Sequence, residues 1–306
     1  MEVIFMDNYL YCYGMITVSS SFLLEGGFIK PDEYSEIKAH YCFAGGETGT
    51  CATVLSALGE NVKIDGTYIG YNTASLIRDF YKDKTVDLNS LHFDDSYEGM
   101  EDYVIIADDV RSPMGTFGKF YSEAYNSGVR LWNKPKEEDI ANCKAAAIDD
   151  FFWDDSELAA KYCVKHGKPY VTIDCTYDSY IHRNSAVSVI SGEGIENHYR
   201  GRTREELFPL FCENGGGLTI ITNGGKPFMY GKKGDNPKIF EPYKVNVVST
   251  LGAGDSFKAG CIYALSKGMG DDELVRFASA CAAVAISRYP LQLDPPTISE
   301  IEKLMK

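Results

Sequence analysis

The stretch from Val245 to Gly268 constrains this chain more than any other. Val245, Val247 and Val248 read as the end of a buried strand. Ser249-Thr250-Leu251-Gly252-Ala253-Gly254 then breaks it, with two glycines flanking Ala253. Behind Asp255 the apolar set Phe257, Ala259, Cys261, Ile262, Ala264 and Leu265 recurs at helical spacing and stops at Lys267-Gly268. A strand, a glycine turn and a helix start bring several backbone N–H groups and the positive end of a helix dipole to one point, which makes an anion site. Asp255 stands in the first helical turn, beside that site. One reading makes it a helix cap. The other makes it the base that takes a proton from a hydroxyl while a phosphoryl group is held by the turn.

A second segment, residues 45–59, opens with Gly45-Gly46 and continues as a helix with Cys51, Leu55 and Leu58 on one face and Gly59 as its stop. Lacking Cβ atoms, the glycine pair lets backbone approach a ligand closely. Between the two segments lie Leu218–Ile221, a strand running into Thr222-Asn223-Gly224-Gly225; Tyr170–Ile173, a strand ending at Asp174; and Val187–Ile190, followed by Glu193 and Glu196. Strands and helices alternate through most of the chain, which predicts an α/β fold with a central, mainly parallel sheet flanked by helices. Two regions break the rhythm, Val18–Phe43 and Tyr103–Leu131, and suit a small separate sheet.

The nonet Ser249–Phe257 resembles the signature D-T-x-G-A-G-D-[ST]-F of the ribokinase-like (PfkB) carbohydrate kinases, departing from it at Ser249 alone. The glycine-pair helix is similar to that family's other signature and stands in the family's order. The resemblance spans nearly the whole chain and implies one ribokinase-like domain over residues 1–306, with a β-sheet lid formed by roughly 17–44 and 99–131. It implies ATP and Mg2+ as cofactors and a sugar or sugar derivative as phosphate acceptor. Asp255 would be the base, and the N–H groups of Gly252, Ala253 and Gly254 would hold the transferring oxygens. Thr222, Gly224, Gly225 and Thr250 would border the nucleotide. Ser19, Gly45, Gly46, Glu47 and Thr50 would face the acceptor. Glu196, with Glu193 at the motif's asparagine position, would organise the magnesium-water shell. Such a lid pairs with another subunit's lid in many relatives, so a homodimer is expected; Tyr103, Phe117, Phe120, Tyr121 and Tyr125 would meet substrate, partner or body.

The acceptor side departs from the family pattern. The aspartate expected five residues after a glycine of the first strand is replaced: counting from Gly14 lands on Ser19. Glu47 and Thr50 occupy two asparagine positions, and Asp178 stands where an arginine is expected. Glu47 and Asp178 together suit a cationic or amine-bearing acceptor. A nucleoside kinase and an inactive sugar- or nucleotide-binding relative stay open as alternatives.

Composition excludes other classes. A net charge of −14 argues against nucleic acid and anionic membrane as partners. Nine cysteines, without a C-x-x-C pair, read as reduced thiols of a cytoplasmic protein. The stretch Met1–Leu10 carries Glu2 and Asp7 and no basic leader, so neither export nor a membrane span is expected. No Walker A loop, dinucleotide fingerprint, H-E-x-x-H or G-x-S-x-G motif occurs.

Overall fold

The structure, a computed structural model, describes residues 8–107 and 110–306; Glu2 and Asp7, on which the leader reading rests, lie outside them. The described chain opens with β1 (Leu10–Gly14), β2 (Thr17–Leu24) and β3 (Ile37–Gly45), and β3 runs straight into α1 (Gly46–Ala57). Next come β4 (Val62–Gly66), β5 (Ile69–Gly70), α2 (Ala74–Tyr81), β6 (Val86–Asp87), β7 (Phe93–Asp94), β8 (Glu101–Ala107), β9 (Val110–Gly115) and α3 (Phe117–Ser127). Alternation then follows through α4 (Glu137–Asn142), β10 (Ala145–Asp149), α5 (Asp154–Lys165), β11 (Tyr170–Ile173), α6 (Tyr180–Asn184), β12 (Val187–Ile190), α7 (Gly192–His198), α8 (Arg204–Asn214) and β13 (Leu218–Ile221). The hairpin β14 (Phe228–Gly231) and β15 (Lys238–Phe240) precedes three final helices, α9 (Ala253–Ser266), α10 (Asp271–Ile286) and α11 (Ile298–Met305).

One nine-stranded sheet has the order β15-β14-β13-β12-β11-β10-β1-β4-β6, and its pairings are parallel except β13–β14 and β14–β15, β14 alone being reversed. Its parallel strands are nearly continuous apolar runs because helices cover both faces. The two-residue period divides them cleanly. Leu10, Cys12, Ala145, Ala147, Val187, Val189, Leu218 and Ile220 face the core shared with α1, α2, α9, α10 and α11. Tyr11, Tyr13, Ala146, Ile148, Ile190 and Ile221 face the side covered by α3 to α8.

A second sheet, in the order β3-β2-β8-β9, stands apart from the first. Its β2–β8 pairing is parallel and the others are antiparallel. Two details differ from the sequence reading. Residues 117–127 are helical, with Phe120 buried against Trp132 in the body and Tyr125 exposed. Val245–Val248 are not a strand: the segment lies partly exposed and is tied to the end of α10, where Val248 and Ser249 N–H donate to Ile286 O (2.8 and 3.2 Å). Antiparallel β14 and β15 already close that edge of the sheet, so an apolar run there has no parallel neighbour to join.

Candidate active site

Because β1, β4, β10, β11, β12 and β13 are parallel, their carboxyl ends share one edge of the sheet, where open α/β sheets bind ligands. Two helix N-termini arrive there and pack on each other: α1, directly from β3, and α9, after the bend at 249–252. Ser249 is buried, and its Oγ accepts from Leu251 N–H (3.2 Å), so the family's missing aspartate is replaced by a local turn contact. Gly252 caps α9 at φ 77°, and a Cβ there would lie 2.5 Å from Leu291 Cδ2, so no other residue fits without strain. Ala253 N–H donates back to Thr250 O (3.2 Å), whereas the N–H groups of Gly252 and Gly254 meet no acceptor among the described residues. The N–H groups of Gly252 and Gly254 are thus left open at the head of α9, while that of Ala253 is turned into the bend. Gly252→Ala should leave a folded protein whose turnover is roughly 100–1000-fold lower, since one lost oxyanion donor costs on that order; steady-state ADP release and a thermal melt together check this.

Under the bend lies a buried ion pair. Lys258, one helical turn beyond Asp255, is fully enclosed, and its Nζ donates to Asp149 Oδ1 at the end of β10. Thr48 Oγ1 donates to the other carboxylate oxygen (2.9 Å), joining the start of α1 to the same group. Gly14 is required here: a Cβ would stand 2.3 Å from Asp149 Oδ2 and 2.7 Å from Thr48 Oγ1. Burial pulls the Lys258 ammonium toward its neutral form, but the adjacent Asp149 more than offsets this and holds its pKa above the ordinary value. So β1, β10, α1 and α9 are locked together by one charge pair beneath the site.

Above the pair, Asp255 is partly buried; burial and Asp149 raise its carboxyl to about 6 against the opposing pull of Lys258. Glu47, in the first turn of α1, is pushed further, to about 8, by burial and then by the charges of Asp255 and Asp149. Of the two carboxyls Glu47 is the more readily protonated, which suits it to donate a hydrogen bond beside Asp255 as acceptor. Arg111, on β9, acts on Asp255 from the second sheet and pairs with Glu193 of α7 (3.5 Å).

The remaining expected residues are placed as follows. Gly45 and Gly46 form the β3–α1 junction, where a Cβ on Gly45 would lie 1.9 Å from Ser19 Oγ and one on Gly46 2.5 Å from Met15 O. Ser19 is buried on β2 beside Thr17. Thr50 is also buried, packed under Gly252 and accepting from Gln292 Nε2 (3.4 Å), so it supports the bend rather than facing open space. Thr250 is exposed. Thr222 Oγ1 donates to Ile190 O (3.2 Å), while Gly224 and Gly225 form an exposed turn with open space around them. Glu196 lies in a helix, not a loop, is largely exposed and accepts from Arg200 Nε (2.7 Å). Asp174 accepts from Ser191 N–H and Oγ (2.6 and 2.8 Å), fixing the start of α7. Asp178 is exposed, whereas Glu47 is partly buried.

Sequence reasoning missed Asp149, Lys258 and Arg111. Lys258 interrupts an otherwise apolar helix face and Asp149 ends an all-apolar strand, so both carried a signal: a charge where burial is forced. Tyr121 of α3 enters the field of Glu47 and Asp149, which helps raise its phenol, after burial as the main cause.

The profile of the pfkB family carbohydrate kinases matches residues 8–298. A 5-dehydro-2-deoxygluconokinase of Bacillus licheniformis is 31% identical over 112 residues, 36% of this chain and 34% of that protein, so the chain spans about a third of the length of the curated relatives it matches. The solved Arabidopsis thaliana ribokinase complexed with ribose and ATP superposes with a TM-score of 0.78 at 18% identity, covering 98% of this chain and 99% of that one. A Methanocaldococcus jannaschii nucleoside kinase does so at 0.76 and 17%, covering 97% and 98%. At these identities the two structures speak for the fold.

Proposed function

This chain belongs to the pfkB family of carbohydrate kinases, and from that premise we propose that it transfers the γ-phosphoryl group of ATP to a hydroxyl of a sugar or sugar derivative. The observation that carries the reading is the pairing of a half-buried Asp255 with the unpartnered N–H groups of Gly252 and Gly254 at the head of α9.

Phosphoryl transfer needs an aligned acceptor, stabilised oxygens and one proton accepted. The Gly252 and Gly254 N–H groups, with the dipole of α9 behind them, receive the oxygens. Asp255 accepts the hydroxyl proton at its carboxylate. Glu47, the more readily protonated of the two, donates a hydrogen bond to the acceptor or to a phosphoryl oxygen. The open turn at Gly224 and Gly225, with Thr222 and Thr250, lines the nucleotide. Among the described residues no cluster of three or more acidic, cysteine or histidine side chains suits a metal, so magnesium, which neutralises phosphate charge, would be held by nucleotide oxygens and water. Glu196 would reach that shell by releasing Arg200; Glu193 is the carboxylate whose charge acts on Asp255.

The likeness to a nucleoside kinase fold keeps that acceptor class as the second reading. The outer face of the small sheet exposes Tyr103, Val110 and Met114, an apolar surface suited to a second copy of the chain. Among the described residues no helix is long and apolar enough to cross a membrane.

The test is ADP release with ATP and magnesium against sugars, sugar acids, amino-sugar adducts and nucleosides. Turnover with one sugar class supports the reading; nucleoside-only turnover favours the second, and tight binding without turnover makes the protein a binder. With the best acceptor, kcat/KM should fall roughly tenfold per pH unit below about 6, because protonated Asp255 cannot take the hydroxyl proton. A profile flat from pH 4.5 to 7 would remove Asp255 from the proton transfer.

A further inference from the structure

Ser19 leaves the acceptor side without its expected carboxylate, yet a carboxylate stands beside it. Asp102, on β8, is in register with Ser19 on the parallel neighbour β2, so both side chains rise from the same face of the small sheet. That face is the inner one. Along β8, Asp102, Val104 and Ile106 are buried while Tyr103 is exposed; along β2, Thr17, Ser19 and Ser21 are buried. Asp102 is only 9% exposed. Thr17 Oγ1 donates to its Oδ2 (3.2 Å) and the Ser19 hydroxyl stands close enough to help lower its pKa, while Oδ1 is enclosed and completes no hydrogen bond with any described residue.

A buried carboxylate oxygen with no donor is costly to keep, and natural structures hold few of them. The nearest donors, the hydroxyls of Thr17 and Ser19, line the same row, and neither closes on Oδ1. Gly45 and Gly115, the ladder partners of Thr17 and Asp102, carry no side chain, which leaves room beside them for Ser19 Oγ and the Phe117 ring. The row ends at the Gly45–Gly46 junction, and the next side chain is Glu47, in the field of Asp255. Arg111, further along the inner face, acts on both Asp102 and Asp255.

We propose that Asp102 binds the hydroxyls of the phosphate acceptor, its free Oδ1 receiving them from across the ladder in place of a carboxylate at position 19. The assignment rests on reading this cleft as the acceptor pocket. It makes the ligand a polyhydroxylated one that donates hydrogen bonds to an anionic wall. Burial raises the Asp102 carboxyl above the usual range, which a bound hydroxyl would counter by supplying the missing donor.

The experiment is equilibrium binding without ATP, so that a failure of phosphoryl transfer does not touch it. D-Ribose, D-fructose and D-gluconate are titrated calorimetrically against wild type, Asp102→Asn and the exchange variant Ser19→Asp/Asp102→Ser. Asp102→Asn should weaken the bound probe roughly 10–100-fold, the range of one hydrogen bond to a charged group. Its unliganded protein should melt no lower than wild type, because no native partner of Oδ1 is lost. The exchange variant should recover most of the affinity, and it also decides the matter if the asparagine variant misfolds. Affinity within twofold of wild type, a lower melting point accompanying the loss, an exchange variant as weak as Asp102→Asn, or a wild type that binds none of the three probes would each overturn the assignment. ADP release by the same preparations tests the kinase reading separately.

Discussion

Replacing Asp255 by asparagine is expected to lower kcat by about two to four orders of magnitude, as loss of a general base does, while ATP affinity changes little. The amide keeps the size of the side chain and its place in the first turn of α9, so the bend, the Gly252 and Gly254 donors and the buried pair beneath should persist. What disappears is the proton acceptor poised at the head of the helix. Removing a negative charge from a phosphate-binding site should, if anything, favour nucleotide binding. The kinetic signature is a fall in kcat with an ATP dissociation constant within a few-fold of wild type. Turnover near the wild-type level would show that Asp255 is a helix cap and nothing more.

Lys258→Met should produce the largest loss of stability of any single change in the site. Methionine matches the lysine in length and suits a wholly enclosed position, but it strands Asp149 as an uncompensated buried charge. Removing one partner of such a pair costs about 3–5 kcal/mol. For a chain of 306 residues that corresponds to a drop of about 5–8 °C in melting temperature. The double variant Lys258→Met/Asp149→Asn removes both charges and should regain much of the loss, because the expensive species is the lone carboxylate. If the single variant melted with wild type, the pair would contribute nothing net and Asp149 would be protonated or hydrated when alone. Chemical denaturation of the three proteins measures the coupling directly.

The parts of the architecture that were legible in the sequence are those written in local chemistry. The α9 start could be read because Gly252, Gly254 and Asp255 combine a left-handed turn with an amphipathic helix, and Lys267-Gly268 end it as expected. The small sheet was legible because Val18–Phe43 lacks helical spacing. Other features depend on contacts between distant segments, which no local pattern encodes. Which glycine is indispensable is one: Gly254 has room for a side chain, its nearest neighbour being 3.7 Å away, whereas Gly252 has Leu291 above it. The role of Thr50 as a support is another, since Gln292 lies 242 positions further on. The helix at 117–127 was hidden among aromatics that suit strands equally well, and packing of Phe120 on Trp132 decided the matter.

The join between β3 and α1 contains no spacer: Gly45 is the last residue of the strand and Gly46 the first of the helix. On the proposed reading, an acceptor held under the small sheet would therefore be linked to the turn bearing Glu47 through two unsubstituted backbone units alone, and seating the one would bear directly on the other.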